Sequence, residues 1–263
     1  MKGLLFFDID GTLDDSQNQK GIPASAKEAL QKARANGYGL MIASGRSLAG
    51  LKGYEDLGFD GYVFSDGAGI FLKGRPLIKH PIEPEAVRFA MKHNVMLSGT
   101  EKMYAADAML AKLAALFGIP KEMMAVAGVF PLDAYDGEDI LEIDIDFENE
   151  EAEAAFLAEK PDVMDYVCTS ASYGRGGACG ELTAHGIDKG HGILEAASLL
   201  GVAHEDTYAF GDSENDASMI KAAGHGIAMG NSVEILKEQA DYVVADIGDD
   251  GLFKALLHFG IIF

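Results

Sequence analysis

Basic residues are scarce: 21 Lys and Arg stand against 42 Asp and Glu, for a formal net charge of −21. Affinity for nucleic acid rests on clustered Lys and Arg, so this balance argues against a nucleic-acid partner, and any phosphate handled here must be held locally. Cysteine is scarcer. Cys168 and Cys179 are too few for a disulfide framework and read as reduced, small core residues, which predicts a reducing cytoplasm. Long hydrophobic runs are missing too, since none approaches the roughly 18 to 20 apolar residues that span a bilayer. The apolar run at 4–7 is far shorter than the core of a secretory signal and is stopped by Asp8. The expectation is a soluble protein with no membrane partner. No internal repeat or low-complexity linker marks a boundary, so domain limits must come from changes of pattern. With 48% hydrophobic content, the 263 residues can bury one large domain or two moderate ones.

What is present begins with Leu4-Leu5-Phe6-Phe7, a fully buried strand by pattern, running into Asp8-Ile9-Asp10-Gly11-Thr12. Side chains at i and i+2 of an extended segment share a face, which would bring Asp8 and Asp10 together at the strand's C-terminal end, with Gly11 turning the backbone beneath them. Two adjacent carboxylates repel unless something positive lies between or opposite them. A divalent metal or a cation-rich phosphate site answers that need, whereas a solvated strand-to-loop turn is the plainer alternative.

Residues 24–35 carry Ala, Leu and Lys at helical spacing after Pro23, and Gly37 closes that helix. A second buried run, 38–43, ends in Ser44-Gly45-Arg46; a helix over about 47–57 and a third run, Tyr62-Val63-Phe64, continue the alternation. Alternating strands and helices predict an α/β class with a Rossmann-like parallel sheet, where ligands collect at the C-terminal ends of the strands and Ser44 would lie beside Asp8 and Asp10. Residues 69–79 read as a β-hairpin turning at Lys73-Gly74.

The pattern changes near Pro81. From Glu83 to about Thr183 the order is helix, two short strands, helix, then strand, helix and two strands, an α+β layer inserted into the parallel sheet. The expected division is a core of 1–81 and 184–263 around an inserted cap of 82–183. The segment 141–147 alternates strictly, with Leu141, Ile143, Ile145 and Phe147 predicted to face a core and Glu142, Asp144 and Asp146 to face outward. Residues 133–165 hold fourteen carboxylates against the single base Lys160, which reads mostly as a solvated face. Gly174-Arg175-Gly176-Gly177 reads as a flexible hairpin turn, with an Arg175 that reaches toward a substrate as the alternative.

The parallel pattern then resumes. Asp188-Lys189-Gly190 opens a helix with Ile193, Leu194, Ala197 and Leu200 at helical spacing, and its N-terminus suits anions. Thr207-Tyr208-Ala209-Phe210 forms a short strand leading into Gly211-Asp212-Ser213-Glu214-Asn215-Asp216, a second acidic loop able to add oxygen ligands to those of Asp8 and Asp10. Oxygen donors of this kind suit Mg²⁺. The seven histidines lack the paired short spacings of zinc sites and both cysteines fall in the insert, which points away from zinc.

Asp-Ile-Asp-Gly-Thr at 8–12, Ser-Gly-Arg at 44–46, Asp-Lys-Gly at 188–190 and Gly-Asp-Ser-Glu-Asn-Asp at 211–216 resemble, in order, the four motifs of the haloacid dehalogenase superfamily of phosphatases. The large insert between the second and third motifs, with Ala228-Met229-Gly230-Asn231 and Ala240-Asp241-Tyr242-Val243 in the tail, is similar to the Cof-type sugar-phosphatase branch. The resemblance covers nearly the whole chain and departs from the branch at Ser65-Asp66-Gly67-Ala68, where many relatives carry Asn-Gly-Ala after a small residue.

It implies Mg²⁺-dependent hydrolysis of a small phosphorylated metabolite. Asp8 is then the nucleophile that becomes an aspartyl-phosphate, and Asp10 the acid that protonates the leaving alcohol and later the base that activates water. Asp8, the Asp10 carbonyl and Asp212 would hold Mg²⁺, with Asp216 either a neighbour of the metal or the partner that orients Lys189. Ser44, Lys189 and Asn215, with Thr12, Gly45 and Arg46 of the same motifs, would hold the phosphate, and Lys189 would offset charge in the transition state.

A phosphomutase or phosphotransferase would use the same intermediate but pass it to a second hydroxyl. A receiver domain also carries a phospho-accepting Asp and a Lys at strand ends, yet neither the insert nor Asp10 suits it. A non-catalytic phosphosugar binder has no need of all four motifs, and an ion-pumping ATPase would need membrane spans. Substrate and oligomeric state are left open, because the insert rather than the motifs would select the leaving group.

Overall fold

The computed structural model describes residues 1–15, 18, 20–75, 77–169 and 178–263. The chain opens with β1 (Leu4–Phe7), α1 (Ala24–Ala35), β2 (Gly39–Ala43), β3 (Gly61–Phe64), β4 (Gly69–Leu72) and β5 (Ile78–Lys79). There follow α2 (Pro84–Ala90), β6 (Asn94–Ser98), β7 (Met103–Ala105), α3 (Asp107–Phe117), β8 (Val129–Pro131), β9 (Glu142–Asp146), α4 (Glu150–Glu159), β10 (Met164–Cys168) and β11 (Cys179–Ala184). The last third holds α5 (Lys189–Leu200), β12 (Thr207–Gly211), α6 (Ala217–Ala222), β13 (His225–Ala228), α7 (Glu234–Gln239), β14 (Tyr242–Val243) and α8 (Gly251–His258).

Among the described residues the strands fall into two sheets, one ordered β14-β13-β12-β1-β2-β3-β4-β5 and the other β10-β11-β9-β6-β7-β8. The first is parallel from β14 to β3 and closes with the antiparallel β4 and β5. β1 is at its centre, and its four side chains are wholly buried because both faces are covered. Leu5 and Phe7 belong to one apolar cluster, with α1 and α8, while Leu4 and Phe6 belong to another, with α5 and α6. That split follows from the two-residue alternation of a strand, and each such side chain contributes about 1.5–3 kcal/mol by leaving water. The class is α/β with a Rossmann-like core.

Several local expectations are corrected. Residues 48–57 form successive 3₁₀ turns rather than an α-helix, because Gly50 and Gly53 weaken an already short segment. The second sheet gains β8, a three-residue strand ending in Pro131 that is too short to show a period. Leu194 is 40% exposed and Leu200 only half-buried, so α5 packs mainly through Ile193, Ala196 and Ala197. Cys179 is buried but Cys168 is exposed at the end of β10. The acids of β9 do not all face solvent, since Glu142 is 3% exposed. Ile143 and Ile145 pack into a cluster with α2 and α4 as expected, and the opposite face, carrying the acids, is covered in part by α3, whose Lys112 pairs with Asp146, and meets the first sheet's loops where Asn215 donates to Glu181. Among the described residues no helix is long and apolar enough to cross a membrane.

Candidate active site

β1 is the strand at which the sheet reverses its order of growth. The chain proceeds from it through β2 and β3 on one side and later through β12, β13 and β14 on the other, and a crevice forms at the strand ends of such a switch point. Asp8 follows β1 and Asp212 follows β12, which pair in parallel with Phe7 opposite Phe210. Lys189 enters from the first turn of α5, whose start is fixed by the Asp188 side chain accepting from the His191 amide at 2.8 Å.

Lys189 is 1% exposed, and its Nζ donates to Asp8 Oδ1 at 2.9 Å and to Asp216 Oδ1 at 2.6 Å, with Asp66 Oδ1 at 3.8 Å. The other oxygen of Asp216 accepts from the amides of Asp212 and Ser213 at 2.8 and 3.0 Å. Asp216 is thereby held on both sides and orients Lys189. Ligand atoms of Asp8, Asp212 and Asp216 lie within 4.8 Å of one another. One lysine does not offset this charge. Burial pushes the Asp8 carboxyl up to about 7, aided by Asp216 and opposed by Lys189. Burial likewise pushes Asp212 up to about 9, aided by Asp8 and Asp216 and opposed by Thr12 and Lys189. Crowded, buried, all-oxygen donors of this kind fit Mg²⁺, which prefers carboxylate and carbonyl oxygen.

The remaining motif residues are placed as follows. Asp10 does not share Asp8's buried environment: the strand ends at Phe7, the backbone bends at Ile9, and the i, i+2 rule for extended chain lapses. Its side chain is 46% exposed and is gripped by Arg46, Nε to Oδ2 at 3.0 Å and Nη2 to Oδ1 at 2.7 Å. Arg46 also contacts the Tyr54 hydroxyl at 3.4 Å, which donates to Asp14 at 3.2 Å. Thr12 is wholly buried and donates to Asp212 Oδ1 at 3.0 Å, so it positions that carboxylate. Ser44 follows β2, is buried, and accepts from the Arg46 amide at 3.2 Å. Gly45 approaches Asp66 closely enough that a Cβ would lie 3.2 Å from Oδ1. Asn215 Nδ2 donates to Asp66 Oδ1 at 3.3 Å and to Glu181 Oε2 at 3.2 Å. Arg175 lies outside the described residues.

Four acids escaped the reading of the motifs. Asp66 sits where the sequence departs from the resembled branch, on a loop in which Ser65 and Asp66 both take positive φ, 48° and 46°. Neither is glycine, so the loop is strained, and hydrogen bonds donated by the Ser65 amide to the Arg46 carbonyl and by the Asp66 amide to the Ser44 carbonyl hold it. Glu142, Asp144 and Glu181 come from the six-stranded sheet, with Glu181 directly opposite Asp144 in the β11–β9 pairing. Ligand atoms of Asp66, Glu142 and Glu181 lie within 4.8 Å of one another. Burial first, then the Asp66 charge, raises both Glu142 and Glu181 well above the ordinary carboxyl range. Asn231, in the tail segment 228–231, donates to the Gly11 carbonyl at 2.8 Å and accepts from the Ile247 amide at 3.0 Å, tying the Asp8–Thr12 loop to the C-terminal layer. A cleft of about 610 Å³ opens beside these groups, bounded by Lys189, Asp66, Asn215 and Glu181 and by α5 and α6.

Residues 5–256 match the model of haloacid dehalogenase-like hydrolases. The chain is 30% identical over 263 residues to YkrA of Bacillus subtilis (strain 168), covering 98% of each. It is 45% identical over 78 residues to 5-amino-6-(5-phospho-D-ribitylamino)uracil phosphatase YcsE of the same organism, a stretch that covers 30% of this chain and 31% of that one. Among solved structures, the phosphatase BT1666 of Bacteroides thetaiotaomicron superposes with a TM-score of 0.84 at 26% identity, over 100% of this chain and 96% of that one. The subclass IIB sugar phosphatase BT4131 gives a TM-score of 0.79 at 32% identity, over 99% and 100%.

Proposed function

The chain belongs to the haloacid dehalogenase-like hydrolases and is a phosphatase, and from that premise we propose that it hydrolyses small sugar-phosphate-type monoesters with Mg²⁺ through an aspartyl-phosphate. The observation that carries this reading is the pairing of Lys189 with Asp8 inside a buried carboxylate cluster at the switch point of the sheet. A buried lysine within 2.9 Å of an aspartate is placed to take charge from a phosphoryl group as the aspartate attacks it.

In the first step an oxygen of Asp8 bonds to phosphorus while the bond from phosphorus to the leaving oxygen breaks, and Asp10 gives its proton to that oxygen. In the second, Asp10 takes a proton from water, the water oxygen bonds to phosphorus, and the bond to Asp8 breaks to release phosphate. Ser44, Asn215 and Lys189 hold the phosphoryl oxygens, so Asn215 must exchange its bonds to Asp66 and Glu181 for one to substrate. Asp8, the Asp10 carbonyl and Asp212 would hold Mg²⁺, which would supply positive charge against those oxygens. The six-stranded layer serves as a cap over 82–183 and chooses the leaving group, with Glu142, Asp144 and Glu181 facing it. A face so rich in acid suits a small polyhydroxyl group and disfavours a polyanion, in keeping with the net charge of −21 and with a metabolite rather than a nucleic acid as partner.

The test is phosphate release from a panel of small phosphomonoesters, with Mg²⁺ and with chelator, for the wild type and Asp8→Asn. Metal-dependent release that disappears in a folded Asp8→Asn variant supports the reading. Comparable turnover in Asp8→Asn would falsify the nucleophile assignment, and a phosphoryl group recovered on an added alcohol instead of as free phosphate would make the enzyme a phosphotransferase.

A further inference from the structure

A second donor cluster lies away from the carboxylates, at the point where the chain leaves the core sheet. His80 follows β5, its amide donating to the Ala68 carbonyl at 2.8 Å, while His191 and Glu195 lie one turn apart on the same face of α5. His80 Nε2 is 2.7 Å from Glu195 Oε2, and His191 Nε2 is 3.4 Å from the same oxygen. The two rings meet edge to face at a centroid distance of 5.2 Å and an angle of 88°, and the three ligand atoms lie within 4.8 Å of one another.

His191 Nε2 is shielded from water and, although 3.4 Å from Glu195 Oε2, makes no well-formed hydrogen bond with it or with any other described group. A simple His80–Glu195 hydrogen bond leaves that nitrogen unexplained, and an unsatisfied buried polar atom costs about 1–3 kcal/mol. We propose that His80 Nε2, His191 Nε2 and Glu195 Oε2 form a binding site for a zinc-class transition-metal ion, separate from the oxygen-lined site at Asp8 and Asp212.

Two imidazoles and one carboxylate suit Zn²⁺ or Co²⁺ and not Mg²⁺, which takes oxygen. Zinc–nitrogen bonds of about 2.0–2.1 Å put neighbouring ligand atoms about 3.3–3.4 Å apart in a tetrahedron. The His191–Glu195 separation of 3.4 Å already meets that spacing, and the His80–Glu195 pair has to open by about 0.6–0.7 Å. All three side chains keep roughly a third of their surface in solvent, at 29%, 39% and 29%, so an ion can approach the cluster from outside although His191 Nε2 itself is buried. Histidine spacing along the chain hides the site, because residue 80 meets residues 191 and 195 only through the fold. A bound ion would pin residue 80, where the chain departs toward the six-stranded layer, to the helix that begins at Lys189.

The site uses no residue of the proposed catalytic set, so each proposal fails or stands by itself. The experiment is titration of the full-length protein with cobalt(II) chloride in excess Mg²⁺, read by visible absorption, followed by displacement with Zn²⁺. The expected result is one equivalent bound with the absorption of a four-coordinate ion in the wild type and in Asp212→Asn. His80→Gln and Glu195→Gln should each weaken binding by at least about tenfold, since removal even of an outlying support costs about that much. Absence of cobalt binding by folded wild type, equal affinity in both His80→Gln and Glu195→Gln, or loss of the signal in Asp212→Asn would each overturn the proposal.

Discussion

Arg46 holds both carboxylate oxygens of Asp10, at 2.7 and 3.0 Å, and so fixes the group proposed to protonate the leaving alcohol. By its motif Arg46 would hold phosphate; on the proposed mechanism its grip on Asp10 suits a positioning role that acts through that carboxylate. Arg46→Ala is expected to lower kcat by about 10–100-fold on an alkyl phosphate, a fraction of the roughly 10²–10⁴ expected for removing the acid itself in Asp10→Asn. Because the effect passes through proton delivery, it should shrink on an aryl phosphate whose leaving group needs no proton. Equal losses on both substrates, or a change confined to KM, would return Arg46 to the role of phosphate ligand.

Lys189 supplies the one cation paired with Asp8 and Asp216 among the described residues, and it is buried with them. Removing one partner from a buried ionic cluster leaves charge without compensation, which costs about 3–5 kcal/mol. Lys189→Met should therefore unfold at markedly lower urea concentration in chelator, besides losing turnover. Mg²⁺ should restore part of the stability, since it offsets the same carboxylates, but not the turnover. A Lys189→Met variant as stable as wild type in chelator would mean that the aspartates are already neutral there.

The core was legible because its signals are local. Leu4–Phe7 is a continuous apolar run, Asp8 follows it directly, and the Asp188 cap and the helix behind Lys189 sit in adjacent positions of the chain. What was not legible depends on contacts between distant segments. Period two places Glu142 and Asp144 on the face opposite Ile143 and Ile145, as found, but says nothing of what covers that face: α3 does at Asp146, and the loops carrying Asp66 and Asn215 do at Glu142 and Glu181. Strand geometry predicts that Asp10 shares Asp8's face, but the strand ends at Phe7, and Asp10 stays near enough for its charge to add to burial in raising the Asp8 carboxyl while its own side chain is exposed. The Ser65-Asp66 turn gave a faint signal as a departure from the resembled motif, and its positive φ values show why: the bend lifts a carboxylate toward Lys189.

Burial, with the charges of Asp66 and Asp146 and against that of Lys112, pushes Asp144 up to about 7. The folded chain then keeps a proton that the unfolded chain releases near pH 4, so the unfolded state binds fewer protons across that interval and stability falls as pH rises from about 4 to about 7. Glu142 and Glu181, raised in the same direction, extend the decline. Asp144→Asn removes one titrating group without changing its shape. In chelator it should match wild type near pH 4 and exceed it at pH 8 by on the order of 1 kcal/mol, measured as the difference in urea midpoint. Identical pH slopes in the two proteins would show that Asp144 is charged in the folded state throughout.

Gly67 takes φ of +95° and packs against the main chain at Asp188 and Lys189, where a Cβ would collide with the Asp188 carbonyl. Gly74 takes φ of +76° with nothing within 4 Å of its would-be Cβ. Alanine at either position carries the cost of a left-handed backbone, about 1–2 kcal/mol, but only at 67 must the start of α5 also move. A shift of that helix carries Lys189 away from Asp8, and misplacement by about 1 Å costs on the order of 10²-fold in rate. Gly67→Ala is thus expected to lose far more kcat than Gly74→Ala, besides more stability, measured on the folded fraction at saturating substrate and Mg²⁺. If the two variants keep the same kcat, the contact between residue 67 and the helix start does not govern where Lys189 sits.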